Sequence, residues 1–214
     1  IVELIAAGKK PITSVDDIFD ASGLVLLPGL VNTHHHFYQT LTRSYSSALN
    51  KPLFPWLKSL YPVWAGLTPD DIYISSKLAI AELLLSGCTT SADHHYLFPR
   101  GLEEALDQQI LAAKDLGLRV TITRGSMSLG ETQGGLPPDK VIQSEETILE
   151  DSERAIRTYH DQKDGSYSQV ALAPCSPFSV TSELMKATSH LAQKYGVRMH
   201  THLAETEEET VFCS

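Results

Sequence analysis

Pro28-Gly29-Leu30-Val31-Asn32-Thr33-His34-His35-His36 carries an apolar run straight into three histidines. The pattern predicts a buried strand that ends in metal ligands. Alternate residues on a strand share a face, so His34 and His36 point one way and His35 the other. Two imidazoles at that spacing can grip one divalent cation. A second cluster repeats the pattern late in the chain, where His200 and His202 flank Thr201 and Glu205 follows three residues on. The two clusters together predict a metal site that activates water.

Between them the chain alternates regularly. Helical spacing covers 70–86 after Thr68-Pro69-Asp70, 102–116 before Gly117, 142–160, and 181–195 before Gly196. Strand-like runs cover 88–96, 118–124, 169–174 and 197–205. Gly134-Gly135-Leu136-Pro137-Pro138 marks a loop. Five strands separated by helical segments predict parallel βαβ units. The candidate ligands fall at strand ends, where a (β/α)8 barrel keeps its active site. Such a barrel takes about 250 residues, so the chain is expected to be part of a longer protein and a poor monomer alone. Residues 1–27 look different, with short strand-like pieces and turns, and read as the edge of a separate small β-domain.

Composition narrows the function classes. The 214 residues are 42% hydrophobic and 20% charged, which fits a globular protein with a sizeable core. No apolar run reaches the roughly 20 residues that span a bilayer, and Ile1–Gly8 show no signal-peptide pattern. A formal charge of −9 argues against a nucleic-acid polymer as partner, because phosphate binding wants a basic surface. A free nucleobase carries no phosphate and stays open. Cys88, Cys175 and Cys213 are odd in number and far apart. They form no disulfide framework, and a cytoplasmic setting is expected.

Several polar residues have two readings. His200 shares the face of His202 one pleat deeper and reads as a wall residue. Of His94 and His95, at most one looks into the site, and Asp93 could cap a turn. Cys175 tips the fourth strand, either as a buried thiol or as part of a pocket. Trp56 and Trp64 read as packing residues, with stacking on a flat substrate as the alternative.

Pro28-Gly29-Leu30-Val31-Asn32-Thr33-His34-x-His36 resembles the opening motif of the amidohydrolase superfamily. His202-Leu203-Ala204-Glu205 is similar to the fifth-strand motif of its aminohydrolase, or deaminase, branch. Within that branch, four stretches resemble the 8-oxoguanine deaminases: Asn32 to Arg43, Asp93-His94-His95-Tyr96, Thr123 to Ser128, and Ala173 to Phe178. The resemblance implies a (β/α)8 TIM-type barrel of the metal-dependent hydrolase kind. Residues 28–214 would be its first five β/α units, and residues 1–27 the tail of an N-terminal β-sandwich. It implies one zinc per active site, held by His34, His36 and His202, with iron the less favoured metal. A further histidine and an aspartate come from later strands in the family. By the same resemblance Glu205 shuttles a proton, while Gln39, Arg124 and His200 bind substrate. The activity implied is hydrolytic deamination of a purine-type base, foremost 8-oxoguanine, with ammonia released. Guanine, cytosine or a hydroxylated triazine are alternative substrates, and a catalytically incomplete metal-binding fragment is the alternative outside catalysis. Partners implied are the base and water, with no membrane, in a homo-oligomer. Two-metal amide hydrolases of the superfamily carry a lysine at the end of the fourth strand, where this chain has Ala173-Pro174-Cys175.

Overall fold

The computed structural model describes residues 2–214. Four strands form one sheet in the order β1 (Leu30–Asn32), β2 (Cys88–Asp93), β3 (Arg119–Ser126), β4 (Ser168–Pro174), and every neighbouring pair is parallel. Helices connect them. α1 (Leu53–Trp64) and α2 (Pro69–Leu85) lie between β1 and β2, α3 (Ala105–Leu116) precedes β3, α4 (Glu145–Tyr159) precedes β4, and α5 (Ser182–Tyr195) follows it. A short α6 (Glu207–Phe212) closes the chain.

Local chemistry accounts for the helix ends. Thr68 and Asp71 form a reciprocal capping box at α2, with Pro69 in its first turn. Ser144 and Thr181 cap α4 and α5 through their hydroxyls. Gly117 and Gly196 end α3 and α5 in the left-handed conformation that glycine adopts freely.

The sheet has two differently used faces. Val120, Ile122, Val170 and Leu172 pack outward against Leu106, Ala112, Ile156 and Ala192 in the helix layer. The alternate residues, such as Thr121, Thr123, Ala171 and Ala173, point to the other face. At the strand ends a second core gathers Tyr38, Leu57, Tyr61, Trp64, Tyr96, Cys175 and Phe178.

Two expectations change, and one segment that carried no secondary-structure reading is a helix. The run 197–205 is not a strand: it makes one parallel bridge, Met199 to Leu172. Its register along β4 is nevertheless set by bonds from Leu172 N–H to Arg198 O (3.0 Å), His200 N–H to Leu172 O (2.9 Å) and His202 N–H to Cys175 O (3.0 Å). These bonds lie on one side only, and the chain turns away at Ala204, whose φ is +56°. Residues 2–27 hold no strand and are almost entirely exposed. Among the described residues their side-chain ties are local, such as Glu3 accepting from Thr13 Oγ1 at 3.0 Å. The segment around Trp56 is a twelve-residue helix, which Pro55 and Pro62 had masked in the sequence. Pro55 sits in the first turn, where no intrahelical N–H is lost.

Close approach requires glycine at several positions, Gly29 and Gly125 among them. A Cβ on Gly29 would overlap the Thr89 side chain. On Gly125, at the end of β3, a Cβ would collide with the His95 carbonyl oxygen and lie 2.6 Å from Tyr96 Cα. Backbone cannot give way as a flexible side chain can. Gly125→Ala is therefore expected to cost about 1–3 kcal/mol and to lower the thermal midpoint of the full-length protein. An unchanged midpoint in differential scanning calorimetry would show that β2 and β3 separate freely there.

Candidate metal centre

Three imidazole nitrogens converge where the first and fifth segments end. His34 Nε2 lies 3.2 Å from His36 Nε2 and 3.3 Å from His202 Nε2, and His36 and His202 are 3.3 Å apart. Their tautomers follow from their other nitrogens. His36 Nδ1 is 2.6 Å from the His94 carbonyl oxygen, and His202 Nδ1 is 2.9 Å from that of Cys175. A carbonyl only accepts, so each Nδ1 carries the proton and each Nε2 offers a bare lone pair. Two lone pairs facing at 3.3 Å repel, and one proton on His34 could serve only one of them. A cation at the centre satisfies all three. Tetrahedral zinc with Zn–N bonds of about 2.0–2.1 Å spaces its ligand nitrogens about 3.3–3.4 Å apart. The residues fit a metal of that size.

Electrostatics keeps the ligands ready. Burial, then repulsion from His202, pushes His36 down to about 3. Burial, then His202 and His200, takes His34 to about 4. Both rings are neutral at pH 7, as ligation needs. His34 Nδ1 meets His200 Nε2 at 3.2 Å, so all three ligand rings have an outer partner.

The other expected residues divide. Gln39 and Glu205 line one cavity of about 270 Å³ together with His34, His36 and His202. Leu53, Trp56, Leu57, Tyr61, Tyr96, Cys175 and Phe178 complete its wall. His200 sits on an adjoining open face with His34, His202 and Glu205. His94 looks inward, stacked on His202 with ring centroids 4.2 Å apart. His95 faces away and contacts the Leu97 carbonyl at 2.8 Å.

Arg124 does not reach the cavity, and its expected contact with substrate is not met. The side chain is 1% exposed in the layer between β3 and α4. It pairs with Asp151, donates to Gln143 Oε1 at 2.8 Å and lies 3.8 Å over the Phe98 ring. The cause is strand parity: Arg124 shares the outward face of Val120 and Ile122. That signal stood in the sequence.

Two features had no sequence signal that was read. Helix α1 supplies Leu53, Trp56, Leu57 and Tyr61 to the wall. Glu209, 2% exposed, accepts the N–H groups of Ala204 (3.1 Å) and Glu205 (2.6 Å), which fixes the turn that presents Glu205. In the sequence it was one of three successive acidic residues.

Comparison with known proteins decides the family. The model of the amidohydrolase family matches residues 25–212. The chain belongs to the amidohydrolase family. Over its whole length this amidohydrolase chain is 62% identical to 8-oxoguanine deaminase of Pseudomonas aeruginosa, of which it covers 47%. It is 38% identical to hydroxydechloroatrazine ethylaminohydrolase of Pseudomonas sp. strain ADP, over 89% of this chain and 40% of that one. The chain thus spans less than half the length of these relatives. Among solved structures, atrazine chlorohydrolase from Arthrobacter aurescens TC1 complexed with zinc superposes with a TM-score of 0.80. The two share 33% identity over 84% of this chain and 41% of that one. The parallel sheet is therefore the first part of the family's TIM-type barrel.

The neutral rings give the metal-free protein a pH signature. Unfolded imidazoles protonate near about 6.5, whereas folded His34 and His36 resist protonation to about 4 and about 3. Between those values the unfolded chain binds more protons, so stability falls as pH is lowered. Buried Asp93, raised to about 7, works the other way and favours the folded state at low pH. The slope of stability between about pH 6.5 and 4 is expected to shrink in His36→Gln, as measured by urea denaturation in chelator. An identical slope would mean that His36 titrates normally.

Proposed function

We propose that the protein carrying this chain is a zinc-dependent hydrolase that deaminates a free purine-type base, foremost 8-oxoguanine. One observation carries the reading. The three converging imidazoles, the Glu205 carboxylate and the Gln39 amide open onto one small cavity with aromatic walls. The identity to 8-oxoguanine deaminase extends over the entire chain and supports that substrate.

His34, His36 and His202 would hold one zinc. When bound, zinc supplies the Lewis acidity that makes water a nucleophile near neutral pH. The remaining roles belong to the chain. Trp56, Tyr96 and Phe178 offer flat apolar surface to a planar heterocycle, and Leu53 and Leu57 exclude bulk water. Gln39 offers both an amide N–H and a carbonyl to the base edge. Glu205 takes the proton released as water adds to the carbon bearing the exocyclic amine, and delivers it to the ring nitrogen. Collapse of that carbon expels ammonia and leaves a carbonyl, so one water is consumed for each ammonia released. The cavity of about 270 Å³ suits a base without its sugar. Among the described residues no helix is long and apolar enough to cross a membrane. The three cysteines are unpaired, which supports a reducing, cytoplasmic setting.

A second reading keeps the chemistry and changes the ring: the similarity to hydroxydechloroatrazine ethylaminohydrolase favours an aminated triazine. Substrate consumption and release of ammonia or alkylamine by the zinc-loaded full-length protein, assayed by chromatography against 8-oxoguanine, guanine, cytosine and hydroxylated triazines, separate the two. Highest kcat/KM on 8-oxoguanine is expected, and a preference for a triazine would overturn the purine reading. Glu205→Gln is expected to retain zinc and substrate affinity while kcat falls by about 10²–10⁴-fold. Wild-type turnover in that variant would remove Glu205 from proton transfer.

A further inference from the structure

The first two ligands stand on a short support. β1 contributes three residues to the sheet, its register with β2 is irregular between Leu30 and Val31, and both residues are more than half exposed. A strand so short cannot by itself fix the rings that follow it. The support comes from the end of β2, which grips residues 35–37 through three hydrogen bonds. His94 N–H donates to His35 O at 2.7 Å, and His36 Nδ1 donates to His94 O at 2.6 Å. The third runs from Phe37 N–H to Asp93 Oδ1 at 2.6 Å. This last bond is the only one of the three whose acceptor is a side chain. It restrains the residue immediately after His36.

Asp93 is itself held. It is fully buried, and its second oxygen accepts from Gln109 Nε2 of α3 at 2.5 Å. Gln109 is also fully buried, and its Oε1 has no partner among the described residues. Ionised above about pH 7, Asp93 only accepts, so the amide then turns its NH2 toward Asp93 and leaves its oxygen unpaired. The protein therefore gives up one hydrogen bond at Gln109 to keep an acceptor pointed at Phe37. Burying a carboxylate is costly unless it is well bonded, and a purely packing role would be filled better by an apolar residue.

We propose that Asp93 and Gln109 form a buried clamp that positions His36 for the metal through the Phe37 backbone. The inference rests on the metal reading of the three imidazoles. Asp93 is a positioning residue and touches neither metal nor substrate. The clamp ties α3, in the helix layer, to the ligand-bearing turn on the opposite face of the sheet.

The bond pattern specifies the variants. Gln109→Glu sets two carboxylates against each other and should break the clamp. D93N with Q109E reverses donor and acceptor. The amide introduced at position 93 can still accept from Phe37 through its oxygen, while its NH2 donates to the carboxylate introduced at position 109. Zinc dissociation from the full-length protein is measured at mildly alkaline pH by competition with a chromophoric chelator, with the visible spectrum of the cobalt-substituted protein as a second readout. Q109E is expected to release zinc about 10–100-fold more readily and to alter the cobalt bands. The double variant is expected to recover both to within about threefold of wild type, the scale of a lost outer partner being about tenfold or more. Wild-type release and spectrum in Q109E, or a double variant no better than Q109E, would overturn the clamp. Absence of zinc from the wild-type protein would instead overturn the metal reading, so the two failures are distinct.

Discussion

The approach of three imidazole nitrogens, those of His36 and His202 bare of protons, to within 3.2–3.3 Å of one another governs this structure. Such an arrangement is unfavourable without a cation, and many contacts of the fold are devoted to holding it. Each ligand ring has an outer partner: His94 O, Cys175 O and His200 Nε2. Burial keeps His34 and His36 neutral. Between the first and fifth segments β2, β3 and β4 run parallel in the sheet.

The supports lie outside the lining of the cavity. Asp93 acts from the helix-facing side of β2, and Glu209 from the helix beyond the Glu205 turn. Both are buried carboxylates that accept backbone N–H groups next to a functional residue. A backbone so held cannot drift by the fraction of an ångström that would spoil ligation or proton transfer. The buried carboxylates thus belong to the site without touching it. Arg124 shows the converse. Its motif resembles that of a substrate contact, yet it serves as a brace between β3 and α4.

Much of the fold was legible. Four helices and all four strands lie within a few residues of where apolar spacing, caps and terminal glycines put them. The failures have physical causes. Helix α1 is broken up in sequence by two prolines: the first turn tolerates Pro55, and Pro62 lies inside the helix at the loss of one intrahelical bond. The fifth segment has strand chemistry but bonds to one neighbour only, so it aligns without becoming a ladder. Residues 2–27 carry apolar residues that meet no partner here. Arg124 was misassigned because its place at a strand end outweighed its parity, although parity decides which layer a strand residue enters.

Sequence alone determined which residues could ligate and which face of each strand they would share, because alternation along a strand is a local property of the backbone. It also determined the family, through motifs whose spacing reflects a fixed order of strand ends. Only the tertiary structure decided that His202 meets His34 and His36 at ligating distance, that α1 forms the cavity wall, and that Asp93 and Glu209 brace the site. Most of those facts depend on which faces are packed together across separations as long as the 168 positions from His34 to His202. No local pattern encodes contacts at that separation.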